Sequence, residues 1–144
     1  MDNPEFKYSA DNRPSLNETI QLYQSVGWSA YTDHPEVLEK AIINASSVYV
    51  ARHNGALIGL CRVLSDDASI LYVQDILVHP SHQRRGVGRE LLGRVLHRYS
   101  HCRQKVLLSD DRPAQLAFYT ALGFTRIDQR EGPRLRAYVQ LTAT

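Results

Sequence analysis

Gln83-Arg84-Arg85-Gly86-Val87-Gly88 is the stretch whose reading decides the fold. It follows an apolar run, residues 70–78, that reads as a buried strand, and it opens a segment, residues 89–99, with apolar residues at helical spacing. A strand, a glycine-bearing turn and a helix in that order gather several backbone N–H groups at the helix N-terminus. Those donors have no partner inside the helix, and the helix dipole adds partial positive charge. Such a corner binds phosphate. Gly86 and Gly88 remove side chains from the approach to the main chain, and Arg84, Arg85 and Arg89 add full positive charges. Glycines here also serve plain turns, so this pattern needs support from elsewhere in the chain.

With 144 residues the chain suits a single domain, residues 1–144. No apolar run approaches the ~20 residues that span a membrane, and residues 1–5 lack the basic-then-apolar pattern of a signal peptide. Cys61 and Cys102 sit far apart without metal-type spacing, which argues against a disulfide or a metal site and makes a reducing cytoplasm the expected compartment. The net charge is only +2 but unevenly spread. Residues 83–105 carry seven bases and one acid, and residues 1–40 carry seven acids and three bases. The basic part suits an anionic ligand; the acidic part weakly favours a cationic one. Without aromatic interleaving or a helix-turn-helix pattern, the basic cluster does not read as a nucleic-acid surface.

In chain order, residues 6–9 read as a first strand. Ser15-Leu16-Asn17-Glu18 has the form of a capping box and starts a helix to about Ser25, stopped by Gly27. Trp28 to Tyr31 reads as a loop. Asp33-His34-Pro35-Glu36 reads as a second box opening a helix with Val37, Leu38, Ala41 and Ile42 on one face. Residues 47–52, 57–64 and 69–78 read as an antiparallel meander, its first turn marked by Asn54-Gly55. The third strand is too apolar for an edge. The helix that follows has Leu91, Leu92, Val95, Leu96 and Tyr99 on one face. A short strand at 105–108 then implies a parallel crossover. Ser109-Asp110-Asp111 reads as the cap of a helix at 113–122, ended by Gly123, and residues 124–129 and 135–141 read as a final hairpin.

Two motifs in this order resemble the GNAT superfamily of acyl-coenzyme A-dependent N-acyltransferases. Asp75 to Gly88, with Gln83-Arg84-Arg85-Gly86-Val87-Gly88 at its core, is similar to the family's strand-turn-helix motif, Gln/Arg-x-x-Gly-x-Gly/Ala. Ala117-Phe118-Tyr119-Thr120-Ala121-Leu122-Gly123-Phe124 is similar to its A-x-x-F-Y-x-x-x-G-F helix and strand. The resemblance implies an α/β (α+β) fold with a mixed, mostly antiparallel sheet of six to seven strands and about four helices, splayed between the fourth and fifth strands. It implies acetyl-CoA as cofactor. The amides of Arg84, Arg85, Gly86, Val87, Gly88 and Arg89 would hold the pyrophosphate, and Gln83 would belong to the same coenzyme site. The main chain of Ile76, Leu77 and Val78 would pair with the pantetheine arm as an added strand pairs with a sheet edge. That pairing requires the splay, and a bulge near Asp75 would serve it. Phe118 and Tyr119 would line the coenzyme. Asp111 stands near the position where the family often has an asparagine, which is a departure from its pattern.

The activity so implied is direct acetyl transfer to a primary amine of a small molecule. Tyr119 matches the family's general acid for the departing thiolate, and the N–H of Leu77 or Val78 would polarise the carbonyl. Asp75 is the candidate base or amine anchor, with Tyr72 and Gln74 as alternatives in the same cleft. Trp28 and Tyr31 would line the acceptor pocket; buried aromatics equally serve cores. Two other readings stay open: a coenzyme-binding sensor without turnover, and acetylation of a protein lysine or N-terminus. A final strand pair with an available edge leaves a homodimer open.

Overall fold

The structure is a computed structural model and describes residues 5–10 and 13–142. The readings made on residues 1–4 and on Asp11 lie outside the described residues. The chain divides into two compact units, Met1–Leu108 and Ser109–Thr144.

In the first unit, Ser15 forms the expected box. Its hydroxyl accepts the Glu18 N–H at 3.3 Å, and the Glu18 carboxylate accepts the Ser15 N–H at 2.7 Å. The box opens α1 (Leu16–Ser25), whose end is followed by Gly27 at φ +78°. Trp28 to Tyr31 does not stay a loop: a single helical turn, α2 (Ser29–Thr32), forms there. The Asp33 box does not form. His34 is the N-cap of α3 (Pro35–Asn44) and makes no side-chain cap bond. Pro35 opens that helix unaided, because its fixed φ suits the first turn, where its missing N–H costs nothing.

The sheet runs in sequence order through β1 (Phe6–Ser9), β2 (Ser47–His53), β3 (Ala56–Ser65), β4 (Ile70–Val78) and β5 (Gln104–Leu107). The first four pair antiparallel, and β4 pairs parallel with β5 across α4 (Val87–Arg98). β3 is buried on both faces from Leu57 to Val63, as a strand covered by helices on each side must be. One face packs Leu22 and Tyr23 of α1 and Leu38 and Ile42 of α3 against Val48, Val50, Leu60 and Leu77. On the other, Val87 and Leu91 of α4 close on Gly59, where an added Cβ would stand 3.0 Å and 3.1 Å from their methyl groups. Burying each such leucine contributes about 1.5–3 kcal/mol.

The second unit contains α5 (Pro113–Ala121) and a 3-10 turn at Ile127–Gln129. Its N-cap is Arg112 without a side-chain cap bond, so Ser109, Asp110 and Asp111 do not cap it; Pro113 again serves the first turn. The final hairpin is absent among the described residues, leaving five strands where six to seven were expected, with five helices. Residues 135–141 keep their alternating pattern, yet Leu135, Tyr138, Val139 and Leu141 are all exposed. Alternation alone makes no strand; a ladder needs a partner to take its main-chain bonds. No described helix is long and apolar enough to cross a membrane.

Candidate functional site

β4 supplies the first half of the site. Ile70–Val73 pair with Gln104–Leu107, and the pairing stops there. Residues 75–78 therefore have a strand partner only on the β3 side among the described residues. The splay between the fourth and fifth strands is thus present, and so is a bulge. Arg62 faces Asp75 while its neighbour Val63 faces Val73, which leaves Gln74 as the extra residue of β4. The Val78 carbonyl, at the end of the unpaired run, accepts the Gln83 side-chain amide at 2.9 Å.

The turn supplies the second half. A 3-10 turn, Pro80–His82, leads into it, with the His79 ring accepting the Ser81 N–H at 3.1 Å. His82 is held below its ordinary pKa, by partial burial first and then by the positive surroundings of His53 and Arg85. Arg84 sits at φ +63° and Gly86, the N-cap of α4, at φ +85°. An added Cβ at Gly86 would meet no atom within 4 Å. The first intrahelical bond is Glu90 N–H to the Gly86 carbonyl, so the amides of Val87, Gly88 and Arg89 precede the ladder. Arg84, Arg85 and Arg89 are exposed around them. Arg85 is held by Glu5 at 2.5 Å and lies over the Phe6 ring, whereas Arg84 and Arg89 have no ion pair among the described residues. Open main chain, a left-handed glycine and two arginines without an ion pair give this turn the chemistry that suits an anion.

Asp75 is enclosed rather than presented. It is 3% exposed. Its Oδ2 accepts Tyr23 Oη at 2.9 Å and Arg62 Nε at 2.8 Å, and its Oδ1 accepts Tyr31 Oη at 2.7 Å. Three of the roughly four acceptor positions of a carboxylate are taken. Burial, then the adjacent carboxylate, raises the pKa of both tyrosines, so each remains a hydrogen-bond donor. Burial alone would lower Arg62, but the charge and hydrogen bonds of Asp75 outweigh it and raise the guanidinium. This geometry does not support Asp75 as the base: its oxygens face protein donors, not solvent. Sequence reading missed Tyr23 and Arg62 here. The only available signal was the isolated polar Arg62 inside the apolar run of β3.

Tyr31 and Trp28 are partly buried and lie against Tyr23, Tyr31 with ring centroids 5.1 Å away and Trp28 5.8 Å away. The Tyr31 hydroxyl also accepts the Gln74 amide at 3.2 Å, so these two acceptor-side residues do come together. Tyr72 is on β4 before the bulge, opposite Leu64. A cavity of about 150 Å³ lined by Arg13, Leu16, Thr19, Glu39 and Ile42 contains no candidate site residue. In the second unit, Tyr119 is partly buried on α5, its ring 5.0 Å from Phe118 and 6.0 Å from Phe124; Asp111 is exposed. The Phe124 N–H returns to the Tyr119 carbonyl at 3.0 Å beyond Gly123 at φ +92°, so the A-x-x-F-Y-x-x-x-G-F stretch folds as one compact corner.

The family model for the acetyltransferase (GNAT) domain matches residues 44–126. An uncharacterized N-acetyltransferase ycf52-like protein from Prochlorococcus marinus is 32% identical over 83% of this chain and 68% of its own length. A GNAT family acetyltransferase, SP0256, from Streptococcus pneumoniae TIGR4 superposes with a TM-score of 0.79 and 27% identity, covering 94% of this chain and 99% of that one. AAC(6')-Iy, solved with the bisubstrate analogue CoA-S-monomethyl-acetylneamine, shares the fold at a TM-score of 0.68 and 17% identity over 93% of this chain and 99% of its own.

Proposed function

We propose that this chain, which belongs to the GNAT acetyltransferase family, moves an acetyl group from acetyl-CoA to a primary amine of a small molecule. The observation that carries this reading is the run at 74–78, unpaired on its β5 side and leading directly into the glycine turn. An amide-rich arm ending in a diphosphate needs a peptide-like edge at one end and an anion cradle at the other, and both lie on one continuous segment. Residues 76–78 line the arm, Gln83 fixes the Val78 carbonyl, and the amides from Arg84 to Arg89 take the diphosphate. The bound coenzyme supplies the thioester. Leu77 stands in a hydrogen-bonded pair with Leu60, since the His79 N–H bonds to the Ile58 carbonyl next to the Gly59–Val78 pair. Of the two candidate donors it is therefore the Val78 N–H that donates to the thioester carbonyl oxygen, and Tyr119, matching the family's tyrosine, gives a proton to the leaving sulfur. Phe118 and Asp111 are assigned to the coenzyme on the same motif. Trp28, Tyr31, Tyr72 and Gln74 form the acceptor side, the first two giving it an aromatic wall for an alkyl or aromatic amine.

Calorimetric titration with acetyl-CoA tests the coenzyme half. Saturable heat and a raised melting temperature are expected; neither appearing would refute it. A panel of monoamines, polyamines, amino acids and peptides, read by thiol release, tests the acceptor half. Turnover confined to peptides would replace a small-molecule acceptor with a protein one.

A further inference from the structure

We propose that Tyr23, Tyr31 and Arg62 hold Asp75 as a positioning group: together they lock the bulge at Gln74 and so set the main chain of residues 76–78 along which the acyl-carrying arm is laid. The role assigned to residues 76–78 rests on the function proposed above; the lock itself does not.

Residues directly opposite each other on paired strands share a face of the sheet. Val73 therefore shares a face with Val63, and Asp75 shares one with Arg62. Because Val63 and Arg62 are neighbours, these faces are opposite. In a regular strand, residues two apart share a face. The extra residue, Gln74, is what carries Asp75 across to Arg62 and to α1. Sliding the bulge out would return the carboxylate to the face of Val73 and Leu71, both buried. An unpaired charge among apolar neighbours is heavily penalised, so the register with Gln74 as the extra residue is the one that the carboxylate allows.

The donors come from three elements, which distinguishes a lock from a local turn. Tyr23 reaches from α1, Tyr31 from α2 and Arg62 from β3. Tyr31 is the bridge. Its hydroxyl donates to Asp75, on one side of the bulge, and accepts from the Gln74 amide at 3.2 Å, at the bulge itself, and from the second guanidinium nitrogen of Arg62 at 3.1 Å. A buried ion pair is weak evidence for stability, since apolar residues of similar volume often serve as well; fixing one register against others is its better-attested use. Here the register fixed is that of the segment unpaired toward β5.

Tyr23 makes the test clean. It is 0% exposed, so it cannot touch an acceptor, and the only side-chain bond of its hydroxyl among the described residues is to Asp75. Tyr23→Phe and Tyr31→Phe each remove one hydroxyl and keep the ring. Hydrogen exchange of the uncomplexed protein, followed peptide by peptide, should show faster exchange at residues 74–78, by about ten-fold, with β2 and the first half of β3 unchanged. In turnover, kcat should fall about ten-fold with the calorimetric CoA affinity within about three-fold, because the cradle at Gly86 is untouched. Unchanged exchange at 74–78 in both variants, or exchange raised evenly across the sheet, would overturn the proposal. If the wild-type protein binds no acetyl-CoA, the functional reading fails, and exchange in the uncomplexed protein still decides whether the lock exists.

Discussion

Replacing Gly86 separates what the turn needs from what a ligand needs. Gly86 sits at φ +85°, where an ordinary L residue costs about 1–2 kcal/mol. Unfolding entropy near 2.1 cal/mol/K per residue, over 144 residues, is roughly 0.3 kcal/mol/K. Gly86→Val should therefore lower Tm by about 3–7 °C, towards the larger figure because a β-branched residue fits this region worst. Asparagine enters the left-handed region far more readily, so Gly86→Asn should melt within about 2 °C of wild type. Beyond its chain neighbours, no described atom lies within 4 Å of the added Cβ, so the Cβ itself is placed without a clash. Any further loss on binding must come from the ligand. If the diphosphate approaches the main chain here, Gly86→Asn should weaken acetyl-CoA binding by about ten-fold or more, a change of about 1.4 kcal/mol, despite its near-normal Tm. Calorimetric titration and thermal melts on the same samples provide both numbers. Wild-type affinity in Gly86→Asn would refute the placement of the diphosphate at this turn.

Other perturbations reach different parts of the molecule. Gly59→Ala puts a methyl 3.0 Å from Val87, 3.1 Å from Leu91 and 3.3 Å from Ala51, so these side chains must give by a few tenths of an ångström; denaturant unfolding should show a loss of about 1–3 kcal/mol. Tyr119→Phe should cut thiol release about 100-fold while leaving coenzyme affinity within about three-fold, and unchanged turnover would remove it as the acid. The bidentate hydrogen bonds of Arg52 to Glu18, at 2.7 Å and 3.0 Å, hold that carboxyl down to about 2 from 4.5. A depressed carboxylate stabilises the fold above pH 4.5 and loses that contribution as pH falls towards 2. Since both side chains are about 30% exposed, screening limits the pair to about 0.5–1 kcal/mol. Arg52→Met should thus melt about 2–3 °C lower than wild type at pH 7, with the difference closing near pH 2.

The amino-acid sequence alone determined the features that short-range chemistry controls. Ser15 and Glu18 cap a helix because the two groups are one turn apart. Asn54-Gly55 makes a hairpin because its left-handed φ values twist with the strands, and Gly86 ends the turn in the left-handed region as the N-cap of α4. The caps read at Asp33 and Ser109 did not form because the helices start at Pro35 and Pro113, which puts His34 and Arg112 at the cap positions instead. Only the tertiary structure decided what Asp75 does. Tyr23, Tyr31 and Arg62 stand 52, 44 and 13 positions away from it, and a bulge chooses the face on which they meet. It also decided the fate of residues 135–141, since alternation prepares a strand but hydrogen bonds to a neighbour make one. Side-chain period is a property of a segment; pairing and the burial of charge belong to the whole fold.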